Sequence, residues 1–434
     1  MSSHALDPML VAHYCDQPTG AEAWLVVDTF LHGVAGGGIR MAPDVSETLM
    51  KHLAATMSIK LSAVQPPCGG AKCGIRYDSA APDSKQVLNR VVRAFAPFLQ
   101  QCWVTGSDLG TGWHDIVTAC RDHAGIPHPQ FALMKAYGGE HGQAIEEGIL
   151  RLSRGTSLPV DGSLNLLMSD AVTGWTVCVS TEEALAVMGQ PLAGKRIAIQ
   201  GFGAVGGSAA KFLAERGALI VAVSDELGAI VAAPGKSLDI PALLKLRKSP
   251  TRKVVDREQL QAQFQYQETE RDSVLYLPAD VVIPAAGSHI AADIGKIQAR
   301  LIVEAANDPF TAEEEEALHQ RGVTVVPDAI ANSGGAGLYG LLVLGHVPVT
   351  KNALLKFLST QVRTMTRTVL ERAGSPPRLV LQEVARRQIR AHIDAGHSFL
   401  PNGIHPDDLN KPGELDVRYK PSSPYADIAT DKVH

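Results

Sequence analysis

Three side chains early in the sequence, Lys60, Lys72 and Asp108, are of the types that bind a carboxylate and move protons. Glycine-rich runs lie beside them, Gly36-Gly37-Gly38-Ile39-Arg40-Met41 and Gly69-Gly70-Ala71-Lys72. A lysine near a second cation, or partly stripped of water, drops its pKa and can act as a base near neutral pH. Lys60 can supply that cation to Lys72 and also hold a substrate carboxylate; Asp108 can balance the charge and shuttle protons. Taken singly, each lysine reads as a solvated surface residue. Asp108, with Gly106 and Gly110 beside it, reads as a turn or cap. Together they describe a charged pocket for a small acid.

A second pattern concerns a nucleotide. Gly201-Phe202-Gly203-Ala204-Val205-Gly206 follows the apolar run Arg196–Gln200 and opens a helical stretch. In that context the first glycine makes the tight turn, the second lets backbone approach a pyrophosphate, and the third lets helix pack on strand. Helix N-terminal N–H groups would hold the phosphates. Asp225 ends the next strand, about 20 residues on, where a ribose contact is expected. Glu226 follows it with no Arg or Lys directly after, so NAD is favoured over NADP. The two patterns combine into hydride chemistry on a carboxylate-bearing substrate.

The elements that must position these groups follow from periodicity. Trp24 to Phe30 reads as a strand, and Asp44 with Glu47 as a capping box. Met50, Leu53, Ala54 and Met57 then recur at helical spacing, in a helix expected to end near Lys60. Val87, Leu88, Val91, Val92, Phe95 and Phe98 mark a second helix, and Cys102 to Thr105 a short strand leading to Asp108. The Gly69–Gly74 stretch reads as a loop. From Lys195 onward, apolar strands at 196–200, 218–224, 281–286, 301–306 and 323–326 alternate with helices, which suits a parallel sheet covered on both faces. A long helix from Thr350 carries Leu355, Leu358, Val362, Met365 and Val369 on one stripe, with Gly374 as its expected cap; another runs through Val384, Ile389 and Ile393 to Gly396. The expected fold is α/β with two domains. Residues 1–150 form a substrate-binding and catalytic domain and 151–345 a Rossmann NAD-binding domain. Helices at 346–396 pack back, and 397–434 form an irregular tail.

Composition narrows the class. The chain has 434 residues, 45% apolar and 20% charged, with a net charge of -5; no basic excess is available for nucleic acid or an anionic membrane. No positive segment followed by an apolar run opens the sequence, and no apolar run is long enough to span a bilayer. Six cysteines without a CxxC pair fit reduced thiols in a cytoplasmic protein. Cys68 and Cys73, which flank Lys72, have no partner at zinc-site spacing, and no metal is expected.

The ordered set of motifs resembles the Glu/Leu/Phe/Val dehydrogenase family of NAD(P)-dependent amino-acid dehydrogenases. It comprises Gly37-Gly38-Ile39-Arg40-Met41, Met57-Ser58-Ile59-Lys60, Gly69-Gly70-Ala71-Lys72, Ser107-Asp108-Leu109-Gly110-Thr111, Ala171-Val172-Thr173-Gly174, Gly201 to Gly206, Glu304-Ala305-Ala306-Asn307 and Asn332-Ser333-Gly334-Gly335. The resemblance implies that Lys60 binds the α-carboxylate, Lys72 is the catalytic lysine and Asp108 handles protons at the amino group. It places Thr173, Asn307 and Asn332 around the nicotinamide and its ribose, with Gly36, Gly37 and Tyr339 at the substrate side chain. It also implies a homo-oligomer.

Two positions depart from the glutamate-specific pattern, which carries a lysine immediately before the Gly-Gly pair and a serine further on. Here Gly36 and Tyr339 stand at those places, so a second substrate carboxylate would be buried without a partner. The expected substrate is therefore an L-amino acid with an apolar or aromatic side chain, nearer the leucine and phenylalanine branches, and the products its 2-oxo acid and ammonia. Glutamate, with Arg40 as a replacement cation, is the alternative. A non-catalytic NAD- or amino-acid-binding relative is a second alternative, though it would need no proton shuttle. Cys73 replaces the usual glycine after the catalytic lysine.

Overall fold

The structure, a computed structural model, describes residues 8–64, 68–138, 142–247, 254–287, 290, 292–345, 347–372, 374–392 and 394. Ile393, Gly396, the tail at 397–434 and residues 1–7 lie outside the described residues.

The first sheet runs in the order Leu10–Asp16, Ala21–Val27, Gly69–Arg76, Ala35–Gly36, Trp103–Val104, and Ile39–Ala42 also pairs with Gly69–Arg76. The strand expected at 24–30 begins earlier and has a hairpin partner that the sequence reading missed. Leu10–Asp16 pairs with it antiparallel and alternates between half-buried and exposed side chains, so no apolar run announces it. Gly69–Arg76 is a central strand and not a loop. Its glycines serve packing against the Glu47–Val64 helix: a Cβ at Gly70 would stand 2.2 Å from the Ser58 nitrogen, and one at Gly74 2.3 Å from the Met50 sulfur. That helix is capped by Ser46, whose hydroxyl accepts the Leu49 N–H at 3.2 Å, and not by Asp44. It also continues a turn past Lys60. The next helix stops at Ala94, and a separate one resumes at Ala96 with Pro97 in its first turn, where a missing N–H costs nothing.

The second sheet has the order Tyr266–Thr269, Gly228–Ala232, Leu219–Asp225, Arg196–Gln200, Val281–Pro284, Leu301–Val303, Thr324–Val326. The last five are parallel, as expected. The first two extend the sheet antiparallel through a hairpin off Asp225. From Arg196–Gln200 the chain adds strands first on one side and later on the other, which opens a crevice at the strands' C-terminal ends. Buried clusters cover both faces, one with Val177, Ile199, Leu213 and Ile283, the other with Ala198, Val282, Ile302 and Leu318.

A third cluster joins the two halves: Leu61, Cys68 and Val104 from the first meet Met168, Val172, Leu338, Leu342 and Leu358. The C-terminal helices Lys351–Leu370 and Pro377–His392 pack back as expected. Thr350 caps the former through the Ala353 N–H. That helix ends at Leu370, with Glu371 still in helical conformation, so Gly374 lies beyond its end and is not its cap. Among the described residues no helix is long and apolar enough to cross a membrane.

Candidate active site

Lys72 lies mid-strand with its side chain on the face opposite the core, and Asp108 follows the Trp103–Val104 strand. Their contact, Nζ to Oδ2, is 2.7 Å. Arg40, on the neighbouring Ile39–Ala42 strand, donates from Nε to the same oxygen at 3.1 Å. Burial pushes the Asp108 carboxyl up, but Lys72 and Arg40 outweigh that and hold it at about 2. Arg40 is thus engaged with Asp108 rather than free for a second substrate carboxylate. Cys73 points the other way, as strand alternation requires, into a core with Leu25, Ile39 and Ile75. Burial pushes its thiol well above the ordinary range.

Lys60 is buried, and its Nζ donates to Asn307 Oδ1 at 2.7 Å. Asn332 Nδ2 donates to that same oxygen at 3.0 Å. Residues far apart in sequence therefore meet where the two halves face each other. Loss of water pulls the Lys60 pKa below the lysine range; Asp328 opposes this and Lys72 adds to it. Thr173, on the Met168–Val187 helix, has its hydroxyl 3.5 Å from where a Cβ on Gly335 would stand, close behind Asn332.

At the other end, a Cβ on Gly36 would lie 3.1 Å from Val104 Cγ2, 3.2 Å from Cys68 Sγ and 3.7 Å from Leu61 Cδ1. Gly36 therefore faces a tight apolar wall and not open space. Gly37 is a crossing point: a Cβ there would meet the Ala71 oxygen at 1.6 Å, and its own carbonyl accepts from Trp103 Nε1 and Thr105 Oγ1, each at 3.1 Å. Tyr339 packs on Trp113, ring centroids 5.7 Å apart, and Trp113 in turn on His128 at 5.7 Å. Burial lowers His128 to about 4, so its ring is neutral at neutral pH.

The glycine turn has the geometry its spacing predicts. Gly201 has φ +93°, open to glycine at little cost, and a Cβ there would crowd the Ala285 carbonyl at 2.8 Å. A Cβ on Gly206 would meet the Gly201 oxygen at 2.0 Å. Gly203 starts the Ala204–Glu215 helix with no side-chain cap, leaving the first N–H groups, those of Ala204 and Val205 among them, for an anion. The backbone thus fits a pyrophosphate. Asp225 is occupied otherwise. Its two oxygens accept from the Arg257 guanidinium at 2.7 and 2.9 Å, and from the Leu227 and Val255 N–H groups at 2.9 and 3.0 Å.

Sequence reasoning missed several residues: Trp113 and His128 beside Tyr339, Arg257 on Asp225, and Arg378 below Asn307. None carries a linear signal, because each finds its partner across a long loop or between the halves. It also missed the grouping of His13, Cys15 and Glu22 on the first hairpin, which is exposed and has Glu22 already paired with His13 at 3.2 Å and with Arg76.

Comparison with known proteins adds the relationship. A family model described as Glutamate/Leucine/Phenylalanine/Valine dehydrogenase matches residues 165–384, and one described as Glu/Leu/Phe/Val dehydrogenase, dimerisation domain, matches residues 12–123. NADP-specific glutamate dehydrogenase A1 of Halobacterium salinarum is 33% identical over 303 residues, 69% of this chain and 66% of that protein. Glutamate dehydrogenase of Aeropyrum pernix is 32% identical over 350 residues, 77% and 75% respectively. Among solved structures, the hetero-hexameric glutamate dehydrogenase of Thermus thermophilus superposes with TM-score 0.68 at 23% identity, covering 91% of each chain. Plasmodium falciparum glutamate dehydrogenase 2 superposes with TM-score 0.70 at 19% identity, covering 90% and 86%. At those identities the superpositions speak for the fold alone.

Proposed function

Because the chain belongs to the Glu/Leu/Phe/Val dehydrogenase family of NAD(P)-dependent amino-acid dehydrogenases acting on the CH–NH2 group, we propose a specific reaction for it. The reaction is reversible oxidative deamination of an L-amino acid with a non-acidic side chain to its 2-oxo acid and ammonia. The observation that carries the chemistry is the pairing of Lys72 with Asp108 beside the buried Lys60. Lys60 binds the α-carboxylate, with Asn307 fixing its ammonium. A nicotinamide held at the glycine turn would supply the hydride acceptor that turns the substrate Cα into an iminium carbon. Lys72, as the free amine, then takes a proton from the water that attacks that carbon, and Asp108 holds the resulting ammonium. Asp108, ionised at neutral pH and in contact with Lys72, receives the proton and delivers it to the departing amine. Thr173 and Asn332 would flank a bound nicotinamide.

The side-chain preference rests on what lines the opposite end of the site: Val104, Cys68 and Leu61 around Gly36, then Tyr339, Trp113 and a neutral His128. A γ-carboxylate brought there would lose its water and find no cation from these groups, an expensive burial. Glutamate is the second reading. It is the one favoured by the named relatives, which are glutamate dehydrogenases. NAD(P)H formation with each L-amino acid in turn decides between them. Turnover with Leu, Val, Phe or Trp supports the pocket argument, and turnover with glutamate alone overturns it.

For the cofactor, Arg257 neutralises Asp225 and leaves only Glu226 to disfavour a 2′-phosphate. That weakens the sequence argument for NAD, and one relative is named as NADP-specific. We take both NAD(H) and NADP(H) as cofactors. The match to a dimerisation-domain model and the place of Leu10–Asp16 as an edge strand among the described residues support a homo-oligomer. Six unpaired cysteines support a reducing, cytoplasmic setting.

A further inference from the structure

We propose that Arg378 is a positioning residue for the reaction centre, holding Asp308 and Asp328 and, through them, the two asparagines that meet at Lys60. The inference rests on the roles proposed above for Lys60, Asn307 and Asn332.

Arg378 opens the Pro377–His392 helix and reaches four carboxylates: Glu304 at 2.6 Å, Glu315 at 2.5 Å, Asp328 at 2.9 Å and Asp308 at 3.4 Å. Glu304 and Asp328 are fully buried. These acids come from four places: the end of the Leu301–Val303 strand, the Ala312–Gln320 helix, the first residue of the Asp328–Ala331 helix, and the turn after Asn307. Without the guanidinium they would repel one another in a site poor in water.

Two of the four stand next to the reaction centre. Asp308 has φ +42°, a left-handed conformation that costs a non-glycine residue energy and persists only where its surroundings hold it. That twist sends Asn307 toward Lys60 and the Asp308 carboxylate toward Arg378. The Asp308 N–H donates to Asp328 Oδ2 at 3.2 Å, so one guanidinium nitrogen and one N–H tie both acids together. Asp328 begins a single helical turn, and its carbonyl accepts the Asn332 N–H at 2.9 Å. Asn307 and Asn332 are thus each one short step from a carboxylate on Arg378, and they share the oxygen that receives Lys60. From the other half of the molecule, His52 Nε2 approaches Asp308 Oδ2 at 3.6 Å. The left-handed turn is therefore gripped from both sides of the cleft.

If Arg378 positions rather than merely stabilises, replacing it should damage amino-acid binding selectively. In Arg378→Lys, which keeps the charge but not the fork, the KM for the amino acid should rise on the order of tenfold. NADPH affinity, set mainly by the phosphates at the glycine turn and read by fluorescence, should fall by much less than the amino-acid KM rises. A folded Arg378→Lys with parental KM overturns the proposal. So does equal weakening of amino-acid and cofactor binding. Should Arg378→Lys fail to fold, Asp308→Ala is decisive: it keeps Arg378 on three acids and removes the carboxylate by which Arg378 and His52 hold the turn. A raised amino-acid KM supports the proposal and an unchanged one sinks it. If the parent protein turns over no amino acid, the function proposed above has failed, and the variant's crystal structure decides this inference instead. Loss of the Lys60–Asn307 hydrogen bond supports it; retention, with Asp308 still left-handed, refutes it.

Discussion

At the scale of single residues the site is a set of charges that restrain one another. Lys72→Ala should lower turnover by on the order of 10²–10⁴-fold, while NADPH binding, followed by fluorescence, stays intact; loss of both would mean Lys72 has another role. Asp108 carries a pH signature. Its folded pKa, about 2, lies below the ordinary 3.8, so its contribution to stability is present above about pH 3.8 and lost as pH falls toward 2. The amount is about 2 kcal/mol. Urea melts between pH 5 and 2 should therefore show a stability loss about 2 kcal/mol larger in the parent than in Asp108→Asn, where Asp16 and Asp161 still contribute their share; equal losses would mean the pair is not formed. Arg257→Gln should free Asp225 to repel a 2′-phosphate, weakening NADPH about tenfold relative to NADH. An unchanged ratio would remove Arg257 from cofactor choice. Lys60, Lys72 and Asp108 were legible in the sequence because small glycine-rich motifs mark them. Arg40, Arg257, Arg378 and Trp113 were not, because their meaning lies in partners that only the fold supplies.

At the scale of elements, what positions Lys60 against Lys72 is the contact of one helix with one strand. Gly70 allows it, since a Cβ there would lie 2.2 Å from the Ser58 nitrogen and 2.6 Å from the Ala54 oxygen. These are backbone atoms that cannot swing aside. Gly70→Ala should thus push helix and strand apart, costing about 1–3 kcal/mol and, because the two lysines separate, a larger share of turnover. Gly162→Ala is the control, because nothing lies within 4 Å of a Cβ there, and it should be silent in both assays. An equally silent Gly70→Ala would refute the packing argument. The same contact explains one misreading of the sequence. Glycines at 69, 70 and 74 read locally as a loop, whereas in the fold they let a strand lie under a helix. The parallel strands were legible because burial on both faces makes them continuously apolar. The strands Leu10–Asp16 and Tyr266–Thr269 were not, since half-exposed edge strands carry too little apolar pattern.

At the scale of the whole molecule, the two halves are sewn together by more than a linker. The third core takes Leu61 and Val104 from one half and Leu338, Leu342 and Leu358 from the other. Lys60 bonds Asn307, and Ser62 bonds Gln388 at 2.7 Å, both across the same divide. A shared apolar core couples unfolding, because neither half can lose it without exposing the other's side. Heating should accordingly give one cooperative transition, coincident by far-ultraviolet circular dichroism and by tryptophan fluorescence. Trp24 and Trp103 report on the first half and Trp175 on the second. NADPH, held at the glycine turn of the second half as proposed, should raise the midpoint for both signals alike. Leu342→Ala, about 2–5 kcal/mol destabilising from its buried place in the shared core, should lower that single midpoint without splitting it. Two separated transitions in the parent, with only the later one answering to NADPH, would show that the halves fold independently. The third core would then be a docking surface between them and not a core.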